Sequence, residues 1–236
     1  MTVSTFFPDG DVESTSVDGN ASRLTDAIWD TIRAGAGEES VDDAAVIELH
    51  IQKATGSNWN EIRRTFFLFD TSSLPDTDEV DSGTMEFVSS SSNDSIGSQT
   101  LSLIDTTPAS STAIADADYG QAGTTKQADD ITEVSIVADS STYNPFTLNS
   151  IGRASISLTS ITKFGIRATA DSDDAEPTAN DAESFQIIIL AAEEIVAGDK
   201  RPKLVITHNL AGILIVSLAA MHHAQPIQIP TGMRPY

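Results

Sequence analysis

Histidine and serine are the residues of this sequence that could carry out hydrolytic chemistry. A serine nucleophile needs a histidine as its base and an aspartate that orients the histidine, and the four histidines are His50, His208, His222 and His223. No Gly-x-Ser-x-Gly turn is present, and serine and aspartate are so abundant that spacing singles out no triad. His50 alternates with apolar residues, which favours the solvated face of a strand. The sequence therefore predicts a protein without enzyme activity.

Acidic residues form two groups whose spacing suits calcium. Ca²⁺ takes about six to eight oxygen ligands, and carboxylates two residues apart in a bent loop supply several of them. The candidate ligands are Asp9, Asp11 and Glu13 in the first group and Asp171 and Asp173 in the second. Neither group follows the EF-hand pattern, and the favoured interpretation is that these aspartates are solvated or act as caps. No cofactor is expected, and one structural calcium ion is the alternative hypothesis.

Exposed aromatic rings could form a platform for a sugar, because pyranose faces stack on flat rings while polar side chains bind the hydroxyls. Trp59 is placed in a polar stretch before an apolar run, and Asn60 follows it. Tyr143 is a second aromatic candidate. These three residues are the candidates for a glycan site, and the favoured interpretation of Trp59 is that it caps the core of the sandwich.

Charge and cysteine content limit the classes of partner. The 236 residues include 35 acidic and 13 basic residues, for a formal charge of −22. Such a surface repels phosphate backbones, so no nucleic-acid partner is expected. Solubility in a salty or crowded setting is the simplest reason for the charge, and cation capture is the alternative. There is no cysteine, so stability must come from packing alone.

Short runs of alternating apolar residues, bounded by Asp, Gly, Pro and Asn, predict about nine or ten strands and an all-β fold. The run Arg63–Asp70 (RRTFFLFD) is the best candidate for a central strand. Polar loops are predicted at Ser89–Gln99 and Ala170–Glu183, and short helices at Arg23–Ala34, Ala115–Gln121 and Ser150–Ser157. The other predicted strands are Val46–Lys53, Gly83–Ser89, Thr100–Asp105, Glu133–Val137, Tyr143–Leu148, Lys163–Ala168, Ser184–Ala191 and Pro202–His208.

The last residues form an apolar, proline-punctuated C-terminal extension. Residues 1–208 are predicted to form one domain, and residues 209–236 an appendage for assembly with other copies of the chain. The apolar run Leu210–Ala220 is shorter than the roughly 20 residues of a membrane-spanning helix, so no membrane span is expected. Prolines 226, 230 and 235 favour an extended conformation. The residues predicted to mediate oligomerisation are Leu210, Ile213, Leu214, Ile215, Val216, Leu218, Ile227 and Ile229.

A series of short motifs resembles the DNRLRE-type β-sandwich modules. The motifs are FFPDGD, IRRTFFLFDTSSLPD, TPAS, DYGQ, FTLN, ITKFGIR and RPKLVITH, and they extend over about residues 5 to 208. The motif that gives the modules their name is not present, and residues 209–236 lie outside the resemblance. The resemblance implies a jelly-roll-like antiparallel β-sandwich, with a few short helices, that serves as a spacer, adhesive or sugar-binding module without catalysis.

Two functions are compatible with these observations. DNRLRE-type modules occur in many phage structural proteins, and the N-terminal residues MTVSTFFPDGDVE resemble no signal peptide. We therefore expect a virion structural protein, such as a head fibre, decoration or tail-appendage subunit, on the virion surface. Its partners would be copies of itself and other virion proteins. The alternative is an extracellular carbohydrate-binding or adhesive module that contacts a cell-surface glycan.

Overall fold

The fold is built almost entirely from antiparallel strands. The computed structural model describes residues 1–193 and 200–210. Every strand pair in these ranges is antiparallel, which confirms the predicted all-β class. The strands are β1 (Thr2–Phe6), β2 (Asp18–Arg23), β3 (Ala27–Ile28), β4 (Glu39–Val41), β5 (Val46–Lys53), β6 (Asn58–Asp70), β7 (Asp78–Asp94), β8 (Thr100–Thr106), β9 (Ala122–Lys126), β10 (Ile131–Thr132), β11 (Tyr143–Thr147), β12 (Ile161–Ala168), β13 (Ser184–Leu190) and β14 (Lys203–Leu210).

Helices in the described residues are short and connect strands. The α-helices are α1 (Trp29–Ala34), α2 (Ser150–Ala154) and α3 (Thr169–Ser172), and 3₁₀ turns occupy Asp116–Gln121 and Glu133–Ser135. Trp29 and Ile32 of α1 are buried, as their spacing predicts. The Asn149 side chain caps α2 by accepting the N–H groups of Ile151 and Gly152, which stabilises so short a helix.

The long strand β7 belongs to both layers of the sandwich. Its first part pairs with β14 and β11, and β14 also pairs with β1, which gives a first layer in the order β1-β14-β7-β11. From Ser89 onward it pairs with β13, and the second layer continues through β5, β6, β12 and β8. A register shift at Ile188/Ile189 lies where β7 enters this second layer, as expected for a bulge that bends a strand.

Strand β6 forms the centre of the second layer. Its residues 65–67 pair with both β2 and β12, and residues 59–63 pair with β5. The four consecutive residues Phe66, Phe67, Leu68 and Phe69 are all fully buried. Successive side chains of a strand point to opposite faces, so both faces of β6 are covered. The predicted central strand Arg63–Asp70 is confirmed.

Some strands have no signal in their own sequence. Strand β2 (DGNASR) contains neither branched nor aromatic residues, and it is extended because it pairs along β6 and β4. Conversely, the predicted strand Glu133–Val137 is wrong, because the chain there is a 3₁₀ turn that follows β10. The first half of the predicted loop Ser89–Gln99 is also wrong, since β7 extends to Asp94 along β13. Tertiary pairing overrides local preference at these places.

The last described strand passes the predicted domain boundary by two residues. Asn209 and Leu210 continue β14 and pair with Glu79 and Asp78. Leu210 therefore belongs to the sandwich and not to the appendage predicted to begin at residue 209. The remaining residues predicted to mediate oligomerisation, from Ile213 to Ile229, lie outside the described residues.

Candidate functional site

Trp59 is part of the core and not of an open sugar platform. Trp59 lies in β6, where it pairs with Ala27 of β3, and its side chain is fully buried. The centroids of the Trp59 and Trp29 rings are 4.9 Å apart. Its indole Nε1 donates a 2.8 Å hydrogen bond to Glu176 Oε1. The predicted polar loop around Trp59 is wrong, because the strand already begins at Asn58. A sugar ring therefore has no access to the faces of this indole, whereas the neighbouring Asn60 keeps partial exposure.

Tyr143 lies in a different layer from Trp59, so the structure does not bring the predicted glycan residues together. It begins β11, and the Lys203 ammonium lies 3.7 Å from the centroid of its ring. Its hydroxyl donates a 3.1 Å hydrogen bond to the carbonyl of Arg201. A cation over the ring is favourable, but it covers one of the two faces that a sugar could use.

Asp171 is enclosed by arginines instead of facing a loop surface. Arg64 binds its carboxylate through both Nε (2.7 Å) and Nη2 (2.8 Å), and Arg167 Nε binds the same carboxylate at 2.7 Å. All three side chains are nearly fully buried. Two guanidinium groups thus occupy the oxygens that were predicted to bind calcium, while Asp173 accepts a 2.9 Å bond from Lys126.

The arginines around Asp171 also join separate elements of the fold. Arg64 of β6 donates to the carbonyls of Tyr119 and Arg33, and Arg167 of β12 donates to those of Ala122 and Gly123. The Arg64 guanidinium lies 3.9 Å from the Tyr119 ring centroid. Although burial raises the pKa of Asp171, the two arginines outweigh this effect and hold it well below its usual range. The cluster therefore contains a carboxylate that is ionised at neutral pH and whose oxygens accept hydrogen bonds from both guanidinium groups.

Asp9, from the first predicted calcium group, organises its own loop. Its Oδ2 accepts the backbone N–H groups of Ser14 (3.0 Å) and Thr15 (2.8 Å). Burial raises the pKa of Asp9, but these hydrogen bonds outweigh it and lower the pKa. In residues 1–193 and 200–210, no three His, Cys, Asp or Glu side chains are arranged to hold a metal ion. Calcium binding at Asp11 and Glu13 stays a prediction.

A cluster of carboxyl groups lies where the loop that contains Asp9 meets the residues that follow β13. Asp18 is fully buried and accepts the N–H of Ala192 at 3.1 Å. Burial, and then the nearby Glu193, raise the pKa of Asp18. Burial is also the main cause that raises the pKa of Glu193 to about 7, and the charges of Glu13, Asp42 and Asp11 add to it. Burial, together with the repulsion from these carboxylates, makes protonation of Glu193 favourable near neutral pH.

Ser4, His208 and Asp78 form a hydrogen-bonded chain that the spacing of the sequence did not show. Ser4 Oγ lies 2.9 Å from His208 Nε2, and His208 Nδ1 lies 2.6 Å from Asp78 Oδ2. The three residues come from the adjacent strands β1, β14 and β7. If Nδ1 carries the proton, its N–H donates a hydrogen bond to Asp78, and Nε2 accepts a hydrogen bond from the Ser4 hydroxyl. The connectivity equals that of a hydrolytic triad.

The position of Ser4, His208 and Asp78 in the sandwich indicates a structural role for their hydrogen bonds. His208 is nearly fully buried and lies on the same face of β14 as the buried Leu204 and Ile206, so its ring points between the layers. Ser4 and His208 are not among the described residues that line the cavity next to Asp78. The hydrogen bonds therefore connect the edge strand β1 to β14 and β7 from the inside of the sandwich.

His50 and Leu210 differ in exposure from what their sequence positions suggest. His50 was predicted on the solvated face, but it is buried in β5, and its Nδ1 lies 3.2 Å from Glu61 Oε2. The side chain of His50 is flanked on β6 by Glu61 and by its pairing partner Arg63. Leu210, the last residue of β14, is 71% exposed. It is the only predicted oligomerisation residue within the described part of the chain, and its exposure leaves it available for contact.

Comparisons with known proteins add no family to these observations. No protein-family model matches the chain, and no curated protein matches it in a sequence search. Within the described ranges, no helix is both long enough and apolar enough to cross a membrane.

Removing the charge of Asp171 should destabilise the protein strongly. In Asp171→Asn, the two buried guanidinium groups lose their counter-charge, and breaking a buried ion pair costs about 3–5 kcal/mol. We expect a loss of that size in the free energy of unfolding, measured by urea titration. Asp174→Asn is the matched control, because Asp174 pairs with Arg33 at the surface. Equal stabilities of the two variants would contradict the role of Asp171.

Glu193 should make the protein less stable as the pH rises. Its pKa is about 7 in the folded chain and about 4.3 in an unfolded one, so the folded state binds more protons between these values. Stability therefore falls as the pH rises from about 4.5 to 7, and it stays lower above that range. We expect Glu193→Gln to raise the melting temperature at pH 8 by a few degrees and to have little effect at pH 4.5. Glu39→Gln, at an exposed residue of β4, is the control, and an equal shift at both pH values would contradict the assignment.

Proposed function

We propose that this protein is a non-enzymatic structural subunit of a virus particle, such as a head fibre, decoration or tail-appendage subunit. In this proposal the β-sandwich is displayed on the virion surface, and the chain beyond Leu210 joins copies of the protein to one another and to other virion proteins. The resemblance of residues 5–208 to modules found in phage structural proteins supports the virion assignment. The assembly role is supported independently by the structure around Leu210.

The exposed end of β14 is the observation on which the assembly role depends. The buried apolar residues of the sandwich extend from Val17 to Ile206 and form one continuous core. Leu210, 71% exposed, leads from this core into the apolar run that begins there. An apolar segment of this length is costly to leave in water. Burial between copies of the chain removes that cost.

The C-terminal segment contains almost no charged residues, which supports a role in assembly. Between His208 and Arg234 there is no Asp, Glu, Lys or Arg, although one fifth of all residues are charged. Two copies with a formal charge of −22 repel each other wherever their acidic surfaces meet. Contact through this uncharged segment keeps the carboxylates of the two copies apart.

The alternative function is a carbohydrate-binding or adhesive module of a secreted or cell-surface protein. It retains some support from the resemblance and from Tyr143 and Asn60, which are partly exposed. The burial of Trp59 removes its strongest aromatic candidate. Retention on a polysaccharide column, with the protein found on cell envelopes and not on purified virus particles, would favour this alternative.

Truncation after Leu210 should abolish assembly without unfolding the sandwich. We expect light scattering to give an oligomer for the full chain and a monomer for residues 1–210, because the truncation removes the apolar segment and keeps every described strand. A chain that ends at Pro230 is the matched control and should remain oligomeric.

Circular dichroism and the melting temperature of residues 1–210 establish whether the sandwich is intact in that variant. A full chain that is monomeric, or a truncated chain that keeps the oligomeric mass, would contradict the assembly role.

Ser4 should stabilise β1 and should not act as a nucleophile. We expect no labelling of the protein by a fluorophosphonate reagent, because the Ser4 hydroxyl and His208 face the inside of the sandwich. Ser4→Ala should lower the free energy of unfolding by about 1 kcal/mol through the lost hydrogen bond. Thr5→Ala, on the exposed face of the same strand, is the control and should change stability less. Labelling that depends on Ser4, or ester hydrolysis that Ser4→Ala removes, would overturn the non-enzymatic assignment.

A further inference from the structure

The free edge of β1 is the part of the sandwich best suited to accept a further strand. Among the described residues, β1 pairs with β14 alone and ends the order of strands in its layer. Natural edge strands are usually protected by charged residues, proline or a bulge. Strand β1 (TVSTF) contains no charge and no proline, and its pairing with β14 has no register shift. Among the described strands that pair with a single neighbour, β1 is the longest that contains neither a charged residue nor a proline.

Side chains on the outer face of β1 favour an apolar partner. Val3 is 64% exposed and Thr5 is exposed, whereas Ser4 and Phe6 on the other face are partly buried. An added strand would gain backbone hydrogen bonds along the edge and contact Val3 with one of its faces. Because the inner face is already held by the Ser4–His208–Asp78 chain, the edge is presented with a fixed geometry.

The C-terminal segment contains a sequence that suits this edge. Ile227-Gln228-Ile229 alternates apolar and polar residues and lies between Pro226 and Pro230. Proline has no N–H to donate, so a strand flanked by prolines suits an edge of a sheet and not its centre. Fifteen residues separate Leu210 from Pro226, and an extended chain of that length reaches about 50 Å. The segment can therefore reach a neighbouring molecule.

We propose that residues 227–229 of one copy add as a strand to the free edge of β1 in a neighbouring copy. This inference rests on the proposed assembly function and names the surface that receives the segment. Leu210 lies just beyond His208, which pairs with Thr2 at the start of β1. A chain that turned back directly onto its own β1 would run parallel to it, whereas every described pair is antiparallel. The segment of another copy can approach in the antiparallel direction.

Crosslinking through introduced cysteines tests this pairing, because the natural chain contains no cysteine. One set of proteins carries Val3→Cys or Thr5→Cys, and a second set carries Ile227→Cys or Ile229→Cys. The two sets are mixed in pairs under reducing, dissociating conditions, allowed to reassociate and then oxidised. A disulfide needs Cα atoms about 4.4–6.8 Å apart, so only adjacent strands are joined.

We expect at least one pair to give a crosslinked dimer of the two different chains, at a yield about tenfold above the control. The control replaces the β1 variant with Val134→Cys, since Val134 is 85% exposed on the Glu133–Ser135 turn. Non-reducing gels and mass spectrometry identify which two chains are joined.

Three results would overturn the inference. The first is no crosslink above the control in any pair while the full chain remains oligomeric, which would leave the assembly function in place. The second is a disulfide between two copies of Val3→Cys or of Thr5→Cys, with none to a C-terminal variant. This result would mean that two β1 edges pair with each other. The third concerns a chain that carries one cysteine on β1 and a second at residue 227 or 229. If this chain forms only a disulfide within the same molecule, the segment adds to its own β1. A monomeric full chain would instead overturn the assembly function on which the inference rests.

Discussion

Electrostatic repulsion between carboxylates is the constraint on which the organisation of this protein depends. With 35 acidic and 13 basic residues, there are too few cations to neutralise the surface, and yet Arg64 and Arg167 are both buried around a single aspartate. Through Asp171, these two arginines connect β6, β12 and α3. They therefore do not screen the acidic residues of the surface. The protein thus uses scarce positive charge for internal geometry and leaves its exterior acidic.

Packing must hold the fold together because the chain contains no cysteine. Without disulfides, the sandwich relies on β6, whose consecutive buried aromatic residues contact both faces of the second layer. This part of the fold was predictable, since RRTFFLFD has high strand propensity and strong hydrophobicity in one short run. The limits of β5 were predicted correctly for the same reason. Strand β2 was not predictable because its residues carry no strand signal, and only its partners β4 and β6 make it extended.

The residues with notable chemistry were less predictable than the strands, because their partners lie far away in the sequence. Asp171 has the spacing of a calcium ligand, but its surroundings are set by arginines on β6 and β12 that meet only once the layers form. Ser4, Asp78 and His208 are likewise brought together by the register of three strands. Trp59 differs, because a position in the core is the favoured interpretation of its sequence context and the structure confirms its burial in β6.

The same repulsion limits how copies of this chain can approach one another. Screening at physiological salt acts over about 8 Å, which is similar to the spacing of the layers in a sandwich, so acidic faces in direct contact would still repel. A strand added to an edge meets its neighbour along a line of backbone groups and needs little facial contact. Strand β1 and residues 209–233 are both free of Asp, Glu, Lys and Arg. The proposed association along an uncharged edge would therefore reconcile an acidic exterior with contact between copies of the chain.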